Sequence, residues 1–88
     1  MFLLIYTKIG GVKRDIKKHF LSYKTIGKNI RNKRKQLKFS QEELAFRISS
    51  ARNYIGCIER GEKVPSITIL LDIAEALSCK LEDLVTGL

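Results

Sequence analysis

Apolar residues recur at helical spacing along almost the whole chain after residue 11, and the alternation typical of β-strands is nearly absent beyond the first nine residues. Over residues 25–37 the apolar positions are Ile26, Ile30 and Leu37, and Arg34 lies on the same stripe. Only one proline and six glycines interrupt the pattern. The sequence therefore predicts an all-α fold whose first core helix lies in this segment.

The second helix is predicted to begin at Ser40. The sequence SQEE is a capping box, in which the serine side chain caps the helix and Glu43 reaches back to the backbone of the cap residue. The buried face of this helix is about two turns long. It consists of Leu44, Ala45 and Ile48.

The third helix is predicted within the segment RNYIGCIERG, residues 52–61. Ile55 and Ile58 face inward, and Gly61 stands where a left-handed residue commonly ends a helix. A turn of three or four residues joins it to the second helix, which is the spacing of a helix-turn-helix. Glycine within a helix costs about 1 kcal/mol relative to alanine, so Gly56 indicates either close approach by a partner or a neutral surface position. The outward residues of this helix are Arg52, Asn53, Gly56, Cys57 and Arg60.

Two further helices are predicted after Pro65. Ser66 is a favourable N-cap for the fourth helix, and the fifth is short. The predicted inward residues of the fourth helix are Ile67, Leu70, Leu71, Ala74 and Leu77. The fifth helix, over about residues 81–85, carries Leu81, Leu84 and Val85. With 88 residues, the chain forms one domain with a modest core and lacks room for a large enclosed catalytic cavity.

The charge is distributed very unevenly along the chain. Residues 1–39 hold twelve Lys/Arg and one acidic residue, whereas residues 40–88 hold five Lys/Arg and eight acidic residues. A basic end on a small domain indicates either a polyanionic partner, such as nucleic acid or an anionic membrane surface, or a solvated face that maintains solubility. The helix-turn-helix spacing favours nucleic acid over a membrane.

The sequence offers little material for catalysis or metal binding. Cys57 and Cys79 are far apart in the chain, and His19 is the only histidine. Neither a disulfide framework, a zinc site nor a catalytic constellation is indicated, so no enzymatic activity, metal or cofactor is expected. The apolar run of residues 2–6 is too short for a signal-peptide core or a membrane span, and a cytoplasmic location is expected.

Residues 25–85 resemble the lambda-repressor-like helix-turn-helix family, of the phage-repressor and Cro type. The matching segments are IGKNIRNKR (26–34), SQEELA (40–45), YIGCIERG (54–61), PS (65–66) and LLDIAEAL (70–77). This resemblance implies a five-helix DNA-binding domain that dimerises and lays its third helix in the major groove. The pattern R-x-Y-I-x-x-I-E-R-G most resembles controller proteins of restriction–modification systems.

The resemblance also implies roles for individual residues. Arg52 and Asn53 fall where family members contact base edges, with Gly56 and Cys57 on the same face. Gln41 matches the family glutamine that hydrogen-bonds a backbone phosphate. The other expected contacts to the DNA backbone are Ser40, Lys38, Arg60, Lys63 and Tyr54. Arg34 and Glu59 match a buried ion pair between the first and third helices. The alternative is that both are surface charges, which the position of each on an apolar stripe disfavours.

The turn of the helix-turn-helix departs from the family pattern. It usually reads G-V-S, whereas this chain has Ser49, Ser50 and Ala51. Ala51 cannot cap the third helix, which costs about 1 kcal/mol unless Ser50 takes that role one residue earlier. Ser49 in a left-handed turn is expected to be strained.

These observations predict a DNA-binding domain over residues 25–88 with an N-terminal extension over residues 1–24, in which an extra helix is expected over residues 12–22. The predicted function is a sequence-specific transcriptional regulator, of repressor or controller type, that binds a palindromic operator in double-stranded DNA as a homodimer. No small-molecule effector is expected. The predicted dimer interface consists of Leu81, Leu84, Val85 and Leu88. The alternative is an antitoxin-like or other protein-interaction subunit whose DNA binding is secondary.

Overall fold

The computed structural model of the protein describes residues 16–88, which contain five α-helices and no β-strand. A short 3-10 turn, Ile16–His19, precedes the first α-helix. The helices are α1 (Phe20–Gln36), α2 (Gln41–Arg47), α3 (Arg52–Glu59), α4 (Ile67–Ala76) and α5 (Leu81–Leu84). The predicted all-α, five-helix fold is confirmed. No helix among these residues combines the length and apolarity needed to cross a bilayer.

Helix α1 begins at Phe20 rather than near Thr25. The Thr25 hydroxyl donates a hydrogen bond to the carbonyl oxygen of Leu21 at 3.0 Å, one turn earlier, so it is satisfied within a continuing helix and does not cap a new one. Within the extra helix predicted over residues 12–22, residues 16–19 form the 3-10 turn instead and residues 20–22 belong to α1. Residues 12–15 and the apolar run of residues 2–6 lie outside the described part of the chain.

All five helices contribute to a single apolar core. Ile30 of α1, Ile55 of α3 and Ile73 of α4 are fully buried at its centre. Its buried residues are Ile30, Leu44, Ala45, Ile55, Ile58, Leu70, Ile73, Ala74, Leu77 and Leu84. Because α1 and α2 both pack against α3, the core fixes the direction of α3 relative to the rest of the domain.

Leu70, Ala74 and Leu77 are buried as predicted, but the other two residues predicted to face inward from α4 are exposed. Ile67 is 60% exposed and Leu71 is 51% exposed, whereas Ile73, which the predicted face omits, is fully buried. Apolar residues occupy almost every position of the segment ITILLDIAEAL, so periodicity alone does not select one face. Leu37 was likewise expected in the core but is 41% exposed, because it is the C-cap residue beyond the last turn of α1.

Serine side chains cap two of the helices, as predicted. The Ser40 hydroxyl accepts a hydrogen bond from the backbone N–H of Glu43 at 2.9 Å, and Ser66 accepts from Ile69 at 3.2 Å. The second half of the predicted capping box at Ser40 does not form. The Glu43 carboxylate instead accepts a hydrogen bond from Nε of Arg47, one turn along α2, at 2.8 Å.

Four helices end in the same left-handed turn. The residue after each C-cap has a positive φ: Lys38 (60°), Ser49 (55°), Gly61 (77°) and Ser78 (54°). In the turn of the helix-turn-helix, the N–H of Ser50 then donates to the carbonyl of Ala45 at 2.8 Å, which satisfies the end of α2. Glycine adopts this conformation without penalty, whereas a residue with a Cβ pays about 1 kcal/mol. The strain predicted at Ser49 is therefore present.

Candidate nucleic-acid interface

Helices α2 and α3 form the helix-turn-helix, and the turn leaves the start of α3 without a side-chain cap. Ala51 is the N-cap residue, with φ −87° and ψ 145°, and it supplies no side-chain hydrogen bond. The first turn of α3 is held by backbone alone, through the N–H of Tyr54 donating to the Ala51 carbonyl at 3.0 Å. Arg52 and Asn53 therefore stand at an open, exposed helix start.

A shallow groove runs along the outer side of α3, and we call it the α3 groove. It is lined by Gln41, Arg52, Asn53, Gly56, Cys57 and Arg60. The structure thus brings the four predicted base contacts and two of the predicted backbone contacts onto one surface. Arginine and amide side chains on one helix face are the groups that hydrogen-bond base edges and phosphates.

Gly56 forms part of the floor of the α3 groove. A Cβ placed on it would lie 3.1 Å from Nη1 of Arg60 and 3.7 Å from Oε1 of Gln41. Both neighbours are the ends of flexible side chains, which can move aside. Among the described residues, no backbone outside the helix approaches Gly56 closely enough to require a glycine.

Arg60 lies at one edge of the groove and is held there by Glu62. Its Nε donates to Oε2 of Glu62 at 2.8 Å and its Nη2 donates to Oε1 at 3.2 Å, while Nη2 also lies 3.7 Å from Sγ of Cys57. The hydrogen bond from Arg60 lowers the pKa of the Glu62 carboxyl and raises the pKa of the guanidinium. A looser pair, 3.9 Å between Arg52 and Glu42, lies at the other end of the groove. Both pairs are exposed and therefore weak, so a DNA phosphate or base can replace either carboxylate.

A buried ion pair connects the α3 groove to helix α1. Nε of Arg34 donates to Oε2 of Glu59 at 2.7 Å and Nη2 donates to Oε1 at 3.0 Å, in side chains that are only 9% and 3% exposed. Nη1 of Arg34 donates to the carbonyl of Phe39 at 2.8 Å, and Nε2 of Gln41 donates to Oε1 of Glu59 at 3.1 Å. The reading of Arg34 and Glu59 as surface charges is therefore excluded. Gln41 belongs both to this network and to the lining of the α3 groove, and its hydrogen bond to Glu59 fixes the orientation of its amide.

Gly27, which the sequence reasoning did not single out, allows α1 and α3 to pack closely. A Cβ placed on it would lie 2.5 Å from the carbonyl oxygen of Glu59 and closer still to that of Ile58. Real Cβ atoms do not approach backbone oxygens so closely, and a carbonyl within a helix cannot swing away. The sequence contained one indication of this close packing, namely the glycine itself, because a glycine inside a helical pattern often marks a packing constraint.

The remaining predicted site residues lie outside the α3 groove. Ser40 is occupied as the N-cap of α2, Tyr54 is half-buried against the core, and Lys38 and Lys63 are exposed in the turns after α1 and α3. Of the four predicted interface residues, Leu84 is fully buried in the core, so its inclusion in a surface is wrong. Leu81 and Val85 are half-buried, and Leu88 is 65% exposed.

Comparison with known protein families identifies the family of this chain. The helix-turn-helix family model matches residues 30–84. The chain belongs to the helix-turn-helix family. The resemblance predicted from the sequence is confirmed, and the matched residues include every residue that lines the α3 groove.

Relatives of this helix-turn-helix protein occur in several bacteria. It is 38% identical over 58 residues, 61% of this chain and 88% of the relative, to the uncharacterised HTH-type transcriptional regulator YgzD of Bacillus subtilis. It is 32% identical over 63 residues, 72% of this chain and 82% of the relative, to the uncharacterised HTH-type transcriptional regulator y4dJ of Sinorhizobium fredii. The crystal structure of the restriction-modification controller protein C.AhdI from Aeromonas hydrophila matches with a TM-score of 0.72 and 33% identity, covering 75% of this chain and 96% of that one.

Proposed function

We propose that this helix-turn-helix protein is a transcriptional regulator that binds a palindromic operator in double-stranded DNA as a homodimer, with α3 in the major groove. The α3 groove is the observation that carries the proposal, because it gathers Arg52, Asn53, Gln41 and Arg60 on the outer side of the second helix of the motif. Two relatives are named transcriptional regulators and the matched crystal structure is that of a controller protein, which supports the same function.

Base reading is assigned to the first turn of α3. The planar fork of Arg52 suits bidentate hydrogen bonding to O6 and N7 of guanine, and the amide of Asn53 suits adenine. Cys57 offers only a weak thiol donor, which favours apolar contact with a thymine methyl group. Gly56 has no side chain on this face, so a base edge can approach α3 there once the ends of Arg60 and Gln41 move aside.

Backbone contacts are assigned to Gln41 and the basic side chains around α3. Gln41 uses one amide hydrogen on Glu59, which leaves the other for a phosphate oxygen. Lys38, Arg60 and Lys63 supply positive charge at the ends of α1 and α3. Such contacts fix the register of the protein on DNA without reading sequence.

Replacing Arg52 with alanine should reduce affinity for the operator by roughly 1–3 kcal/mol and flatten the base preference at one position in each half-site. The fold should survive, because the only carboxylate that Arg52 contacts among residues 18–88 is the exposed Glu42 at 3.9 Å. The measurement is affinity for a site selected from random DNA and for unrelated DNA, at one fixed salt concentration.

The matched control is Lys63→Ala, which removes the same charge from a residue assigned to phosphate. This substitution should weaken binding to the operator and to unrelated DNA alike. It should also reduce the slope of log affinity against log salt by about one. If Arg52→Ala leaves the ratio of the two affinities unchanged, Arg52 contacts phosphate and the assignment of base reading is wrong.

The proposed dimer uses the apolar edge formed by Leu81, Val85 and Leu88, in which Leu88 is the most exposed member. A two-fold dimer through this edge would space the two α3 helices about 34 Å apart, one turn of DNA. Leu88→Glu should convert the dimer to a monomer in sedimentation experiments at tens of micromolar. Phe46→Ser, which changes an apolar side chain that is 79% exposed on α2, should leave it dimeric. A wild-type protein that is monomeric both free and on DNA would refute this part of the proposal.

A further inference from the structure

Four cations form a straight row along one face of α1. Lys24, Lys28, Arg31 and Lys35 follow one another at spacings of four, three and four residues, which places them on the same side of a helix. All four side chains are exposed. From the rise per residue of an α-helix, this α1 basic row is about 16 Å long.

The α1 basic row has no acidic partner among residues 18–88, whereas four arginines elsewhere do. Arg34, Arg47, Arg52 and Arg60 each contact a glutamate within 4 Å. Helix α1 itself contains no acidic residue. Like charges one turn apart destabilise a helix by a few tenths of a kcal/mol, so this alignment is unfavourable for the free protein. Surface charge promotes solubility whether or not it is aligned, so solubility alone does not account for the row.

The α1 basic row lies beside the end of α3. A Cβ on Gly61, just after α3, would lie 3.1 Å from the backbone nitrogen of Lys24, so the chain leaving α3 touches the start of the row. Lys24, Lys28 and Arg31 line a shallow depression with Glu59, the last residue of α3. Arg60, the next residue, lines the α3 groove. The row therefore begins where the α3 groove ends.

The other flank of α1 packs against α5. Asp83 of α5 shares a depression with Lys33 and Gln36, which point away from the row. The amide of Asn29 on that flank donates to the carbonyl oxygens of Leu84 and Thr86 at 3.0 and 2.8 Å, so α5 covers it. The flank that carries the row is thus left open and positively charged, which suits a polyanion.

We propose that the α1 basic row binds the sugar–phosphate backbone of DNA beyond the base pairs that α3 reads, so that the protein occupies a longer site than its base contacts require. This inference rests on the proposed function. Each strand of B-DNA carries one phosphate per roughly 3.4 Å of helix axis, so a row of about 16 Å spans four or five phosphates of one strand. The contact is independent of sequence, and it adds affinity and salt dependence without changing base preference.

The test compares two double variants of the full chain that have the same net charge. Lys28→Gln/Arg31→Gln removes the centre of the row. Lys33→Gln/Lys80→Gln removes two exposed or half-exposed cations outside it. Circular dichroism first establishes that both variants fold like the wild type. Affinity is then measured from 50 to 200 mM salt on a 40-bp duplex that carries the selected site at its centre, and hydroxyl-radical footprints are recorded on the same duplex.

Each phosphate contact contributes roughly 0.9 to the slope of log affinity against log salt. We therefore expect the row variant, which loses two contacts, to reduce the magnitude of this slope by about 2. Its affinity should fall roughly 3- to 20-fold, which corresponds to two exposed charge contacts. Protection should be lost at the outer ends of the footprint and retained at the centre. The control variant should change the slope by less than one unit and leave the footprint intact.

Other results would overturn the proposal. Equal slope changes in the two variants would show an effect of net charge alone. An unchanged slope in the row variant, with Arg52→Ala still reducing discrimination, would refute the row and leave the proposed function standing. A wild-type protein that binds no duplex DNA would refute the proposed function and the row with it. If only binding to vesicles containing phosphatidylglycerol were lost in the row variant, the polyanion would be a membrane surface and not DNA.

Discussion

Replacing Gly27 with alanine should destabilise the protein by about 2–3 kcal/mol, even though alanine is the better helix former by about 1 kcal/mol. The added methyl group would lie 2.5 Å from the carbonyl oxygen of Glu59 and closer still to that of Ile58. Both oxygens belong to the backbone of α3, so relief requires α1 and α3 to separate and the core between them to loosen. Chemical unfolding followed by circular dichroism measures the effect.

The matched control is Gly56→Ala, the same chemical change in α3. Its new methyl group would meet only the ends of the Arg60 and Gln41 side chains. Stability should therefore stay the same or rise by up to about 1 kcal/mol, the gain in helix propensity. If Gly27→Ala proved as stable as Gly56→Ala, the close contact between α1 and α3 would be wrong.

Breaking the buried ion pair should have the largest effect on stability. Arg34→Met leaves the Glu59 carboxylate, whose side chain is 3% exposed, with the amide of Gln41 as its only partner in the described part of the chain. Removing one member of a buried pair typically destabilises a protein by about 3–5 kcal/mol, because the remaining charge stays buried without compensation. The free energy of unfolding measures this, and thermal unfolding should shift in the same direction.

The double variant Arg34→Met/Glu59→Leu separates stability from orientation. With both charges gone, it should be more stable than Arg34→Met, since apolar residues often replace a buried pair without net loss. Its affinity for DNA should nevertheless stay reduced, because Gln41 has lost the carboxylate that orients it. Arg47→Met, which breaks the exposed pair with Glu43, should change stability by no more than about 1 kcal/mol. A double variant as unstable as the sum of its single variants would contradict this account.

Local signals in the sequence predicted the order of the helices and most of their ends. Ser40 and Ser66 cap helices where serine was expected to, and Gly61 has the left-handed conformation expected after α3. These features depend on a few neighbouring residues, so they can be read without knowledge of the fold. The outward face of α3 was predictable for the same reason, because Ile55 and Ile58 fix its inward face.

The errors occur where distant parts of the chain decide the outcome. Ile67 and Leu71 were predicted to lie in the core, and Ile73 was omitted. Apolar residues occur on every side of α4, so only the elements that pack against it determine which face is buried. The close backbone contact at Gly27 was not predicted, because the neighbours of this glycine lie more than thirty positions away in the sequence. Leu84 was predicted to lie at the dimer edge but is fully buried. Its burial depends on how α5 packs against the core, which the local sequence does not show.

The hydrogen-bonded chain from Phe39 through Arg34 and Glu59 to Gln41 has a consequence for the kinetics of binding. It is complete in the free protein, so the residue proposed to grip phosphate and the helix proposed to read bases are already in place before DNA arrives. Few side-chain rotamers need to be frozen on this part of the surface, which lowers the entropic penalty of association. Complex formation should then proceed in one bimolecular step, with a rate that falls as salt is added and no slow phase from refolding of α3.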